Sequence, residues 1–96
     1  MAKVELTVNR LRDLFSYDPE TGLFRWRANA GRWGRIPAGS VAGCTSKHHG
    51  YVEVHFDGHL YKAHRLAWLY VKGEWPADEI DHKNRIRSDN RWENLR

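Results

Sequence analysis

Tyr51-Val52-Glu53-Val54-His55-Phe56-Asp57-Gly58-His59-Leu60-Tyr61-Lys62-Ala63 is a pair of alternating runs around a central Asp-Gly. Asp-Gly favours a two-residue type I′ hairpin turn, because both residues tolerate positive φ. Such a turn sets the register: Phe56 faces His59, Val54 faces Tyr61 and Val52 faces Ala63, six residues on one mostly apolar face. The opposite face sets Glu53 against Lys62, an opposite-charge pair directly across the ladder. Side-chain alternation and charge pairing thus agree on a single register.

On the C-terminal side, Ala63 to Lys72 reads as a helix. Ala63, Leu66, Ala67, Leu69, Tyr70 and Val71 cover most of its circumference, so the helix is expected to be central and buried. Gly73 suits the C′ position. Glu74-Trp75-Pro76 is a linker. Glu79 to Lys83 is expected as a strand, Asn84 to Ser88 as a loop, Asp89 to Trp92 as a short return, and Glu93 to Arg96 as the first turn of a helix.

On the N-terminal side, Val4 to Tyr17 reads as a helix with Val8, Leu11, Leu14 and Phe15 on one stripe and Thr7 as its N-cap. Asp18-Pro19-Glu20-Thr21-Gly22 is a turn. Leu23 to Arg27 alternates as a strand, Phe24 and Trp26 on one face, Arg25 and Arg27 on the other. Ala28 to Gly50 is rich in Gly and Arg and lacks periodicity; short strands are expected near Gly39 to Cys44, and Ser46 to Gly50 is an exposed turn. The class is α+β: a small antiparallel sheet lobe with an N-terminal helix over 1–62, followed by a second unit over 63–96.

Ninety-six residues suffice for one small domain or two sub-lobes sharing a core. The hydrophobic share, 41%, is slightly low, so five Trp and four Tyr must supply much of the burial. Sixteen Lys and Arg against twelve Asp and Glu leave +4, which suits a polyanionic partner. Arg25, Arg27, Arg32 and Arg35 lie in a stretch without acids. Lys83, Arg85, Arg87, Arg91 and Arg96 face only Asp89 and Glu93. A single cysteine, Cys44, rules out an internal disulfide and a cysteine-based structural zinc knuckle; it reads as a small core residue. The N-terminus lacks the apolar core of a signal peptide and no run is long enough to cross a bilayer, so the cytoplasm is the default expectation.

Chemistry concentrates in Asp81-His82, followed at short range by Asn90 and Asn94. A carboxylate can hold a hard divalent cation, and an adjacent imidazole can take a proton from water. Together they form a minimal set for metal-assisted phosphodiester cleavage. Adjacent strand residues point to opposite faces, so the two can serve one reaction only where the strand twists or ends.

Several blocks then look like the HNH endonucleases, in particular small phage-type and homing-type members. They are His64-Arg65-Leu66-Ala67-Trp68-Leu69-Tyr70, Gly73-Glu74-Trp75-Pro76, Asp81-His82-Lys83-Asn84, Ser88-Asp89-Asn90-Arg91 and Glu93-Asn94-Leu95-Arg96, with a leader from Leu14 to Trp26. The resemblance implies a ββα-metal motif gripping one divalent metal (Mg²⁺ first, Mn²⁺ second), with double-stranded DNA as partner. It implies that Asp81 ligates the metal, His82 is the general base, Asn94 braces the loop and orients the histidine, and Asn90 pins the turn between the strands. His64 is expected to have a structural hydrogen-bonding role.

Two positions depart from the family pattern. Lys83 stands where an apolar residue is usual, and Arg85 where Gly would allow positive φ. The family's third motif residue, a His or Asn ligand, lies about two helical turns beyond Asn94, so on this reading the final helix is cut short at Arg96. An inactive DNA-binding module, or a fragment of such an endonuclease, is the alternative. A homodimer would make paired cuts natural.

Other residues have plainer readings. His55 and His59 fall on opposite faces of the hairpin, which speaks against joint ligation. His48 and His49 read as solvated. Arg25, Arg27, Arg32, Arg35, Lys83, Arg85, Arg87 and Arg91 are candidate DNA contacts that would give salt-dependent affinity without sequence choice. Trp26, Trp68 and Trp75 read as packing residues. Trp33, between two arginines in a Gly-rich loop, could contact DNA.

Overall fold

The computed structural model describes residues 5–96. The expected helix start at Val4 lies outside the described residues. Helix α1 spans Val8–Leu14, and the backbone N–H of Arg10 donates to Thr7 Oγ1 at 3.2 Å, as an N-cap requires. The helix stops a turn earlier than the stripe predicts. Phe15–Tyr17 forms strand β1 and pairs antiparallel with β2, Phe24–Trp26. Pairing sets Phe15 against Trp26, ring centroids 4.4 Å apart, and Tyr17 against Phe24 at 4.9 Å, both tilted. Burying four aromatic rings outweighs the small propagation gain of another helical turn.

The hairpin follows the sequence. Strand β4, Val52–Phe56, pairs with β5, His59–Lys62, with Phe56 opposite His59, Val54 opposite Tyr61 and Glu53 opposite Lys62. Asp57 and Gly58 have φ of 51° and 76°, the type I′ signature. Lys62 Nζ lies 3.1 Å from Glu53. The predicted Val52–Ala63 pair is not made, because Ala63 already opens α2. Strand β3, Cys44–Thr45, adds to β4 and gives the sheet order β3-β4-β5. Cys44 is exposed, not a core residue; its side chain belongs to a short edge strand.

Helix α2 is Ala63–Lys72, and Gly73 closes it with φ 78° and an N–H donated to Leu69 O. Ala63, His64, Leu66, Ala67 and Leu69 are buried, but Val71 is exposed. The helix is therefore covered along one side and not all round. Arg12 of α1 donates twice to the Tyr70 carbonyl near the end of α2, meeting an acceptor the helix leaves free.

The C-terminal segment differs most from expectation. The return strand is not Asp89 to Trp92. Asp81 and Arg96 exchange backbone hydrogen bonds of 2.8 and 3.1 Å, and Lys83 N–H donates to Asn94 O at 2.8 Å. His82 lies opposite Leu95. Trp92–Asn94 is a single 3₁₀ turn, and Leu95 is extended at φ −98° and ψ 138°. Burial of Leu95 in the core explains why the chain straightens there. That core joins Leu11, Phe15, Phe24, Val54, Leu66 and Leu95, residues from both sequence segments. No helix among the described residues is long and apolar enough to cross a membrane.

Candidate active site

Strand alternation separates the two site residues. Asp81 is exposed, with 65% of its side chain accessible, whereas His82 is buried at 4%. The strand expected over Glu79 to Lys83 is not formed: pairing there is confined to an isolated bridge between His82 and Leu95 and the backbone hydrogen bonds beside it.

His82 is held from two sides. Its Nε2 faces Asn90 Oδ1 at 2.9 Å. An amide oxygen can only accept, so the ring donates from Nε2, and in its neutral form the lone pair lies on Nδ1. The imidazoles of His82 and His64 meet edge to face at 5.0 Å, and the Tyr51 ring lies against both. His64 sits in α2 and is buried, and its Nδ1 has no hydrogen-bond partner. Burial pushes its pKa down to about 4, with His82, Arg65 and Lys62 adding to the effect. His64 is thus neutral at physiological pH, and its ring packs edge to face on His82.

Asn94 braces the loop. Its Nδ2 donates to Asn84 Oδ1 and to Asp89 O, and its Oδ1 accepts from Asn84 N–H at 3.0 Å. The expected duties are divided: Asn94 ties the two ends of the loop together, and Asn90 orients the histidine. Asn84 and Asp89 complete this network through an Nδ2–Oδ2 bond of 2.7 Å. The Arg91 guanidinium grips Asp89, and with Asn84 holds its carboxyl down at about 2.

The leader supports this loop from behind. The Tyr17 hydroxyl donates to the Asn90 carbonyl, and Trp92 N–H donates to Pro19 O. Gly22, at φ 76°, packs so closely that a Cβ there would lie 2.3 Å from the Asn90 carbonyl carbon. The turn signal at Gly22 was legible, but its contact with Asn90 was not. Neither were the contacts of Asn84, Asp89, Tyr17 and Tyr51, although Asn84, Asp89 and Tyr17 fall within the blocks and leader that carry the resemblance.

Arg85 adopts φ 63°, the conformation that the missing glycine would have supplied. Its N–H closes a turn onto His82 O at 2.9 Å. Among the candidate DNA contacts, Arg91 pairs with Asp89 and Glu93 and is neutralised within the loop. Arg25 donates to Gly39 O, Arg27 to Phe15 O, and Arg87 to His49 O while lying over the Tyr51 ring. None of these three, nor Arg32, Arg35, Lys83 or Arg85, has a carboxylate partner among the described residues.

Asp81 Oδ2 is paired with Arg96 at 3.1 Å. No cluster of three His, Cys, Asp or Glu side chains that could hold a metal ion occurs among the described residues. The donor set is one exposed carboxylate. Mg²⁺ commonly takes one or two carboxylates and fills its remaining positions with water and substrate phosphate. Asp81 suits that mode and not a closed protein cage.

The α+β fold thus sets an Asp-His pair beside an asparagine-braced loop. Residues 61–96 match the family model described as HNH endonuclease, so this segment is similar to that family. No curated protein and no solved structure matched the chain.

Proposed function

We propose that the chain hydrolyses phosphodiester bonds in double-stranded DNA with one divalent cation, Mg²⁺ or secondarily Mn²⁺. Asp81 would hold the cation and His82 would act as general base. Asn90 and Asn94 would position the histidine and its loop. The observation that carries this reading is the 2.9 Å contact from His82 Nε2 to Asn90 Oδ1. It would leave Nδ1 as the ring nitrogen free to accept the proton of an attacking water, the part a general base plays. A bound cation would neutralise charge building on the phosphate. Arg25, Arg27, Arg32, Arg35, Lys83, Arg85 and Arg87 would supply sequence-independent contacts to phosphates.

A supercoiled-plasmid nicking assay tests this, comparing the chain with its His82→Ala variant and an EDTA control. Loss of nicking by about 10²–10⁴ in His82→Ala is expected from the removal of a general base. Unchanged nicking in that variant would overturn the assignment.

A second reading, a DNA-binding module without catalysis, is favoured by the Asp81–Arg96 ion pair, which occupies the carboxylate that a metal would need. It predicts salt-sensitive DNA binding and no metal-dependent nicking.

A further inference from the structure

The loop between β2 and β3 carries an aromatic ring that the fold does not use. Trp33 is 80% exposed, the most exposed large hydrophobic side chain among the described residues. It also sits in the left-handed region, at φ 63° and ψ 21°. A non-glycine residue there is strained, and a solvated indole forgoes the burial that tryptophan offers. Both costs fall on one residue, and the Arg32 guanidinium 5.8 Å from its ring still leaves the indole in solvent.

The loop is nevertheless built. Ala30 and Ile36 exchange backbone hydrogen bonds of 2.8 and 2.9 Å, closing its neck. Asn29 Oδ1 accepts from Ala38 N–H at 2.9 Å. Gly31 and Gly34, at φ 74° and 65°, turn the chain on either side of the ring. A Cβ at Gly31 would press on the Ile36 side chain at 3.1 Å. The neck is thus packed, and the tip projects Trp33.

The charge around it has a single sign. Arg32 lies over the indole at 5.8 Å, Arg35 follows two residues later, and residues 28–50 contain no acid. An exposed aromatic held among cations matches a partner with negative charge and flat π-faces together. Nucleic acid offers both, since phosphates flank every base. An acidic protein surface would satisfy the arginines and leave the ring without a partner.

We propose that Trp33 is a base-stacking finger: its indole stacks on an unpaired or kinked base of duplex DNA while Arg32 and Arg35 engage the flanking phosphates. The proposal rests on DNA as the partner and does not need cleavage.

The test is fluorescence anisotropy with the full chain in EDTA. The probes are two labelled DNA hairpins, identical except for one bulged base. Trp33→Gly and Trp33→Asn both tolerate left-handed backbone, so neither variant is expected to lower the thermal midpoint. Each is expected to bind the bulged hairpin about tenfold or more weakly, the usual effect of deleting one stacked aromatic. The preference for the bulged hairpin over the paired one should vanish. The salt slope should not change, whereas Arg32→Ala and Arg35→Ala should each lower it by about one.

Unchanged affinity in both tryptophan variants overturns the proposal and leaves DNA binding standing. An equal loss on both hairpins overturns the stacking assignment. A matching loss of thermal stability in both variants makes Trp33 structural and overturns it too. Absence of wild-type binding at low salt overturns the DNA reading and this proposal with it.

Discussion

His82 and Asn90 face each other with both side chains buried, Nε2 to Oδ1 at 2.9 Å. The same Asn90 receives the Tyr17 hydroxyl on its backbone carbonyl, so the leader hairpin and the histidine are linked through one residue. Replacing Asn90 by Ala would strip a buried donor of its acceptor. A loss of about 1–3 kcal/mol is expected, read from urea denaturation. An unchanged midpoint would show that the bond contributes nothing.

Gly22 is held by the same segment. A Cβ would meet Asn90 C at 2.3 Å and Arg91 N at 2.4 Å, both backbone atoms, and φ is 76°. Rigid neighbours cannot step aside, and the backbone conformation adds its own strain of about 1–3 kcal/mol. Gly22→Ala should therefore destabilise by at least about 2 kcal/mol, more than an ordinary turn glycine. The comparison is Gly58→Ala, whose Cβ would meet nothing within 4 Å. Equal losses at the two sites would refute the close-packing account.

Arg85 offers the opposite sign. It carries a side chain at φ 63°, where a Cβ costs about 1–2 kcal/mol. Glycine removes that cost but frees the unfolded chain. Arg85→Gly is expected to raise stability by a net amount of up to about 1 kcal/mol. A lower midpoint would mean that the arginine side chain makes a stabilising contact.

Two groups with large shifts, His64 and Asp89, give folding a pH dependence on the acid side. His64 is depressed to about 4 from 6.5 by burial first. The unfolded chain takes that proton first, so stability is full above about pH 6.5 and falls as pH drops towards 4. Asp89 is held at about 2 by Arg91 first, against an ordinary 3.8. Its contribution is present above about pH 4 and is lost as pH falls towards 2. Urea midpoints across this range should show His64→Phe flattening the upper limb and Asp89→Asn the lower one. An upper limb as steep in His64→Phe as in the parent would assign the loss to another group.

The exposed Asp81–Arg96 pair should matter little to folding. Both side chains are largely solvated, 65% and 63% accessible, and such pairs contribute about 0.2–1 kcal/mol. Arg96→Gln should therefore leave the melting point nearly unchanged while freeing the Asp81 carboxylate. Under the nuclease reading, nicking at limiting Mg²⁺ should rise in this variant; a fall would mean that Arg96 assists the reaction directly.

The features that sequence alone determined are those encoded within a few residues. Asp57-Gly58 specified the hairpin and its register, Thr7 the start of α1, and Gly73 the end of α2. Turn and cap preferences arise from local sterics and local hydrogen bonds, so they can be read before any fold exists. Tertiary structure decided the rest. Helix α1 ends at Leu14 because Phe15 and Tyr17 gain partners in β2. The return strand falls at Leu95-Arg96 because Leu95 reaches the core opposite His82. Asn90 and Asn94 share out the roles of orienting and bracing, Arg91 is spent on Asp89, and Gly22 lies against Asn90. Each of these depends on which distant groups arrive to compete for a buried position or a hydrogen bond. That competition is settled only when the chain has closed on itself.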